Sequence, residues 1–418
     1  MVLSASSLCR TAFTVDAQLT TAVRPIKVLH QLGKFDPGGI ETWLLNLVRQ
    51  RSEQVHFDFV VDEAGGRYDE EIRNCGCRIY SLDHRSRFRK RLEIAGLARR
   101  SRSLERILAE GDYDVFHVHG REFLGDALKV AAEARVPVRV AHCHITAVRI
   151  RNPEGAIRWA RFRTLDRRRI LKYATDICAV SEEAGRLLVG RHWRTDPRCR
   201  PLYCGVPLDH FREVAGTTDP GTYRESHGIP RDGLVIGHAG KMGPSDQKNH
   251  PFLLGVFDVL ARRDSRYYLY LAGDGPLRPE IERDVRQRGL QNRVFMPGIR
   301  KDVPALMIGG FDVFLLPSLR EGLPIVGLEA VAAGLYTVCS DTITKDFTDR
   351  FQDRVKAVSL RASPAYWADQ VEIGVRKKIA PDEGIAIIEN SSFSTRASLS
   401  ALIDLYSRRL AGLPQSRC

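Results

Sequence analysis

The stretch Asp312–Asp341, "DVFLLPSLREGLPIVGLEAVAAGLYTVCSD", decides the fold. Its opening, DVFLLPS, is an apolar run of strand length. A turn around Gly322 and Pro324 follows, then a helix of small residues, then a second apolar strand, YTVCSD. Strands apolar on both faces belong inside a parallel sheet, and strand–helix–strand is the unit that builds one. In open sheets of this kind, ligands sit just beyond the carboxyl ends of the strands. Glu321 falls there. Gly322 lets the backbone come close to a ligand. Pro324 suits a first helical turn, and the amides from Leu323 through Ile325 to Val326 form an anion site at the helix start. Glu329 stands one to two turns in, beside that site. Carboxylates accept hydrogen bonds from vicinal hydroxyls, so the segment predicts a ligand with a ribose and a diphosphate.

The same alternation extends in both directions. Upstream, "LVIGHAG", "YYLYLAGDG" and "RVFMPG" are strands, and "HPFLLGVFDVLARR" and "LRPEIERDVRQRG" are helices. In the first half, "IKVLHQL", "HFDFVVDE", "DVFHVHG", "VRVAHCHIT" and "DICAVSEEA" begin or contain strands, each leading toward a helical pattern. The reading is therefore α/β, with two Rossmann-like domains whose parallel sheets face each other across a cleft. We expect a loose N-terminal extension over 1–25 and a first domain over 26–214. A Gly-, Pro- and Thr-rich linker follows over 215–233, and a second domain over 234–394. The C-terminal helix, 395–418, can pack on either half.

A chain of 418 residues fits two cores. No apolar run reaches the length of a membrane span, and the first 25 residues lack the pattern of a secretory signal. Nine dispersed cysteines, with no CxxC, indicate thiols in a reducing cytosol. The formal charge is +13, with nine basic residues between Arg85 and Arg106 and nine more between Arg149 and Lys172. Such clusters suit an anionic membrane surface, nucleic acid or a phosphorylated substrate, or are simply solvated helix faces.

Three further motifs carry chemistry. "GHAGKMGPSDQKNHPF" is a strand end, a loop and a helix start; its Lys241 and Lys248 are placed to neutralise a diphosphate. "GKFDPGGIE" puts Gly38 and Gly39 between a strand and a helix, a weak phosphate-approach signal. The pairs His117/His119 and His142/His144 end two strands, each pair on one face. No neighbouring carboxylate completes a metal site, so the histidines are read as substrate ligands and the metal expectation is none. Asp112-Tyr113-Asp114 has the spacing of a metal–diphosphate motif, but it precedes its strand, away from the cleft.

Together these segments, above all Leu271–Thr344, resemble the retaining, nucleotide-sugar-dependent glycosyltransferases of the GT-B fold, family 4, in their capsular and exopolysaccharide subgroup. "GGIETWLLNL", "HVHG", "AHCHIT" and "AVSEEA" match the same subgroup. The resemblance covers roughly residues 26 to 410. It implies that Glu321 lies by the donor sugar and reaction centre and that Glu329 binds the ribose. It places Lys241 and Lys248 on the diphosphate, although the family usually has arginine at the first. Gly38 and Gly39 approach phosphate and sugar, and His144, with His119 as second choice, sits beside the sugar. "CGVPLD" stands where the family has NGVD, with Cys204 read as a hinge variation. The implied activity is transfer from a nucleotide sugar, UDP before GDP, to a lipid-linked or other glycan acceptor, with no cofactor. The expected location is cytoplasmic, with peripheral contact at the inner membrane face. A GT-B sugar-nucleotide epimerase and an arginine-rich nucleic-acid binder are the alternatives; thin aromatic interleaving makes nucleic acid an unexpected partner.

Overall fold

The computed structural model describes residues 24–82, 93–120, 124–146, 157, 159–243 and 246–412. Two parallel sheets organise it. The first contains β1 (Ile26–Leu32), β2 (Val55–Val61), β3 (Ile79–Ser81), β4 (Val115–His119), β5 (Val138–Cys143), β6 (Asp176–Ala179) and β7 (Cys199–Pro201). Their order is β3-β2-β1-β4-β5-β6-β7. The second contains β8 (Leu234–Ala239), β9 (Tyr267–Ala272), β10 (Val294–Gly298), β11 (Val313–Leu316), β12 (Tyr336–Ser340) and β13 (Val355–Val358), in the order β10-β9-β8-β11-β12-β13. The interior strands are buried because Val, Ile, Leu and Phe face helices on both sides: Val28, Phe59, Phe116 and Val140 in one sheet, Ile236, Leu269, Val313 and Val338 in the other.

In each sheet the chain order reverses between two neighbouring strands, β1 and β4 in the first and β8 and β11 in the second. These are the crevices where doubly wound sheets take ligands. Gly38 and Gly39 follow β1, His119 ends β4, Lys241 follows β8 and Glu321 follows β11. The topology thus gathers the sequence motifs at two crevices.

The helix Thr395–Ala411 returns to the first sheet. Ser394 caps it by accepting from the Ala397 amide. Trp43 donates its indole N–H to Ser398 Oγ (2.8 Å), whose hydroxyl donates to Tyr203 O (2.8 Å). Arg409 reaches the buried Asp176 carboxylate at 2.8 Å. The outgoing and returning chains lie side by side: Val206 N donates to Phe393 O (2.8 Å) and Thr395 N to Val206 O (3.0 Å).

Residues 215–233, expected as a linker, include the short helix Pro220–Ser226, capped by Asp219 and opened by its own proline. Asp-Pro signals a helix start as well as a loop, and composition alone does not separate the two. Arg24 pairs with Asp114 (2.8 Å), at the strand end remote from the crevice. Arg85 to Arg91, Arg149, Arg151 and Arg158 of the basic clusters lie outside the described residues. Of the rest, Arg161 and Arg169 both engage Asp126, and Arg167 donates to the carbonyls of Leu187 and Leu188, so these three serve the fold. No described helix is long and apolar enough to cross a membrane.

Candidate active site

The loop after β11 and the loop after β8 meet at a buried ion pair. Lys248 Nζ lies 2.7 Å from Glu321 Oε1, with the side chains 15% and 10% exposed. Ser318 Oγ donates to the same carboxylate oxygen at 2.9 Å. Gln247 Nε2 donates to Arg320 O at 2.9 Å and stands 3.5 Å from Glu321 Oε2. The Lys248 stem lies over Gly240, where an added Cβ would stand 2.7 Å from Lys248 Cε. The helix Ile325–Ala332 begins just after Glu321, with Pro324 as its N-cap, one residue outside the helix. At this start the Ile325 amide turns back on Leu323 O (3.0 Å), while those of Gly327 and Leu328 share Pro324 O (2.8 and 3.1 Å). The anion site expected from the amides of Leu323, Ile325 and Val326 is therefore smaller: among the described residues, the amides of Leu323 and Val326 meet no acceptor.

Glu329 lies further along this helix, partly covered. Burial pushes its carboxyl up to about 7, and the nearby Lys248 charge opposes the shift. Lys248 thus acts electrostatically on both carboxylates of the motif. Lys241, expected beside it, is exposed and lines a neighbouring cavity of about 510 Å³, together with Asp36, Gly273, Asp274, Ile299 and Arg300. Gly273 holds φ at +140° with its α-carbon pressed to Gly240 O, a position no side chain tolerates.

The first domain closes over this corner. Gly322 meets the His144 carbonyl: a Cβ there would fall 2.2 Å from His144 O. Thr146 Oγ1 donates to Glu321 O at 2.9 Å. Between the two faces lies a cavity of about 250 Å³. Gly39, His144, Glu321, Gly322, Leu323 and Ile325 line it, as the sequence reading placed them in one site. It also contains Glu41, Thr146, Cys204 and Gln247, which that reading left out. Glu41 folds back so that its carboxylate covers Gly38, at the positive end of its own helix, Gly39–Arg49. Burial raises its carboxyl, its own amide lowers it, Asp36 raises it and Lys241 lowers it. An acidic residue in a first turn reads as ordinary dipole compensation, which hides Glu41 in the sequence. Cys204, read as a hinge variation, sits in the cavity wall with Sγ 3.5 Å from His144 Nδ1.

Behind His144 stand four more imidazoles. His117 and His119 come from β4, His142 from β5, His144 directly follows β5, and His30 comes from β1. Parallel register sets His30 beside His117 and His119 beside His142. His119, expected as the second choice beside the sugar, is 7% exposed and lies behind His144, with Nδ1 3.0 Å from His144 Nε2. His119, His142 and His144 bring ligand atoms within 4.8 Å of one another. However, His142 uses Nδ1 on His117 Nε2 (3.2 Å) and Nε2 on Leu202 O (3.0 Å), so a tridentate metal would have to break that arrangement. Burial holds all five imidazoles well below the usual histidine range; His30 and His142 fall to about 3. The cleft therefore offers one buried ammonium, two carboxylates, helix-start amides and a wall of neutral imidazole, which is the equipment for an anionic, hydroxyl-bearing ligand.

Comparison with known proteins agrees with this geometry. A family model described as glycosyl transferases group 1 matches residues 233–372, and one described as glycosyltransferase family 4 matches residues 37–210. A Bacillus subtilis (strain 168) protein that carries the name glycosyltransferase EpsF is 34% identical over 348 residues, 82% of this chain and 86% of its own. A GDP-mannose:cellobiosyl-diphosphopolyprenol alpha-mannosyltransferase of Xanthomonas oryzae pv. oryzae is 26% identical, over 81% of this chain and 88% of its own. Among solved structures, Anabaena HepE in complex with UDP superposes with a TM-score of 0.71 at 18% identity, covering 92% of this chain and all of that one.

Proposed function

The chain belongs to the group 1, family 4 glycosyltransferases of the GT-B fold, and from that premise we propose that it moves a sugar from a UDP-linked donor, with retention, onto a lipid-linked saccharide in surface polysaccharide synthesis. One observation carries the reading: Lys248 pairs with Glu321 just before a helix start, its charge reaches Glu329 in that helix, and His144 faces Glu321 across the cavity. Lys248, with Lys241 near the second cavity and the Leu323 and Val326 amides, takes up the charge of the departing diphosphate. This electrostatic role needs no metal. Glu329 accepts from the ribose hydroxyls. His144 and Glu321 flank the sugar. The acceptor hydroxyl attacks from the side of the leaving phosphate, which takes its proton. A diphosphopolyprenol-linked acceptor in the name of the Xanthomonas relative supports the acceptor class, and UDP in the Anabaena structure supports the nucleotide. No observation favours the epimerase.

Calorimetric titration of UDP, GDP and ADP tests the site. UDP should bind, with or without EDTA, and transfer assays with diphosphopolyprenol-linked sugars should then show turnover. Equal binding of all three nucleotides, or binding abolished by EDTA, would overturn the nucleotide and metal assignments respectively.

Membrane contact from the first domain has its own support. Arg102, Arg106, Arg168 and Lys172 are exposed, and Leu165 and Ile157 expose 46% and 69% of their surface. At low salt the protein should sediment with vesicles containing anionic phosphatidylglycerol and remain free with neutral phosphatidylcholine; equal retention by both would remove this reading.

A further inference from the structure

The five clustered imidazoles form two hydrogen-bonded chains, and the direction of each follows from its end. In the first, Leu202 O only accepts, so His142 Nε2 carries the proton and donates to it. His142 Nδ1 then accepts from His117 Nε2–H, and His117 Nδ1 accepts from the Tyr406 hydroxyl at 2.6 Å. Every group in this chain is satisfied.

The second chain runs His30 Nδ1 to His119 Nε2 (2.8 Å), His119 Nδ1 to His144 Nε2 (3.0 Å), and His144 Nδ1 to Cys204 Sγ (3.5 Å). Its inner end is His30 Nε2, fully buried and without a partner among the described residues. A buried N–H with no acceptor is rarer and costlier than an unmet lone pair. The proton on His30 therefore sits on Nδ1, which donates to His119. His119 Nδ1–H then donates to His144 Nε2, and the remaining proton of His144 is on Nδ1.

We propose that His30 and His119 are positioning residues that fix the tautomer of His144, so that His144 turns an Nδ1–H into the cleft as a hydrogen-bond donor for the donor sugar. The inference rests on the reading of the cleft as a sugar-transfer site. Cys204 Sγ is a weak acceptor at 3.5 Å, and a sugar oxygen is a stronger one. Burial keeps these rings neutral, the form in which each can donate at one nitrogen and accept at the other. The hydrogen bond between His30 and His119 spans 89 residues of sequence, so the tautomer at the cleft is set from a different strand and a different part of the chain.

Long-range 1H–15N correlation spectra of protein labelled with 15N-histidine read the tautomers directly. Within the cluster, His30, His119 and His144 should be neutral Nδ1–H and His117 and His142 neutral Nε2–H. An Nε2–H signal for His144 overturns the proposal, even if no variant folds. Two replacements add a functional readout. His30→Asn keeps a donor near the position of Nδ1 and should preserve both the His144 signal and UDP-glucose affinity. His30→Asp puts an acceptor where the donor stood, so His119 Nε2–H turns toward it, His119 Nδ1 accepts from His144 Nε2–H, and the His144 proton should move off Nδ1. This variant should also weaken UDP-glucose or UDP-galactose by about five- to tenfold while leaving UDP itself unchanged. Equal behaviour of the two variants, or parallel losses for UDP and the UDP-sugars, refutes positioning. If neither UDP-sugar binds wild-type protein, the reading of the cleft fails and the sugar contact with it. The spectrum still decides the tautomer in that case, so the two failures are distinguishable.

Discussion

Replacing Lys248 with alanine should lower kcat for sugar transfer by about 10²–10³-fold while the two sheets remain folded. The magnitude is that of removing one preorganised group from a developing negative charge. Lys248 is the largely covered cation at the corner where the loops after β8 and β11 meet, and among the described residues its ion-pair partner is Glu321. The exposed Lys241, on the other cavity, is too far into solvent to substitute for it. The variant also strips Glu321 of its counter-charge. The carboxylate is 10% exposed and keeps Ser318 Oγ at 2.9 Å, so stability should fall by about 1–3 kcal/mol, well short of unfolding a domain of this size. Lys248→Arg should recover part of the rate, because charge is restored at a different reach. Steady-state kinetics and chemical denaturation check both parts. A Lys248→Ala enzyme within threefold of wild type would remove Lys248 from the diphosphate site.

The second large effect is a pH dependence centred on Glu329. Its carboxyl moves from the ordinary 4.5 to about 7 in the folded protein, chiefly through burial. Below pH 4.5 the group is protonated in both folded and unfolded chains and contributes nothing. Between 4.5 and 7 the unfolded chain loses its proton first, so stability falls as pH rises, and above 7 the full penalty applies. The shift sets a ceiling of about 3 kcal/mol; with part of the side chain open to water, about 1–2 is the expectation. Glu329→Gln should therefore raise the unfolding free energy by about 1–2 kcal/mol at pH 8, with the gain shrinking toward zero near pH 5. Ligand binding should move the other way. The ionised carboxylate is the better acceptor for ribose hydroxyls, so UDP-glucose should bind more tightly as pH rises from 6 to 8. The glutamine variant should bind about tenfold more weakly at pH 8 and lose the dependence. UDP-glucose is the suitable probe because its diphosphate has no group titrating in this range. Stability of Glu329→Gln equal to wild type at pH 8 would place Glu329 in a fully solvated setting instead.

Much of this was readable from residue order. The strands β8 and β11 are led by runs of Val, Ile, Leu and Phe, and β9 and β12 mix Tyr with Leu, Ala, Val and Cys; burial on both faces makes such segments legible. Helices such as His250–Arg263 coincide with their sequence pattern, since a proline opens them and an apolar stripe continues. The edge strands β3 and β7 were missed because three residues each carry no periodicity. β13, VKAV, was missed because its two central residues are exposed at the sheet edge. The Glu321 and Glu329 corner was legible because both lie on one short turn-and-helix segment. The histidine chains were not. Their members come from β1, β4, β5 and the residue just after β5, and only the parallel register of those strands brings the rings together. Sequence shows which histidines share a strand face; it does not show which strands become neighbours. Cys204 and Glu41 stayed hidden for a related reason, since each acquires its cleft position from the opposite domain or from a loop bend.

The return of the last helix to the first sheet also governs how the molecule is made. Ser398 receives Trp43, Tyr406 donates to His117, and Arg409 covers Asp176, all groups laid down early in the chain. On a ribosome even the nearest of these pairs, 233 residues apart, must wait roughly ten to fifty seconds at cellular rates. During that interval the first sheet has an uncovered face, and the buried Asp176 carboxylate has Arg200 (3.1 Å) but lacks Arg409. The second domain, encoded as one unbroken block, can close on its own as soon as it emerges. The later half of this sequence is thus the first able to reach its final form, and the earlier half is sealed only once the helix Thr395–Ala411 has been made.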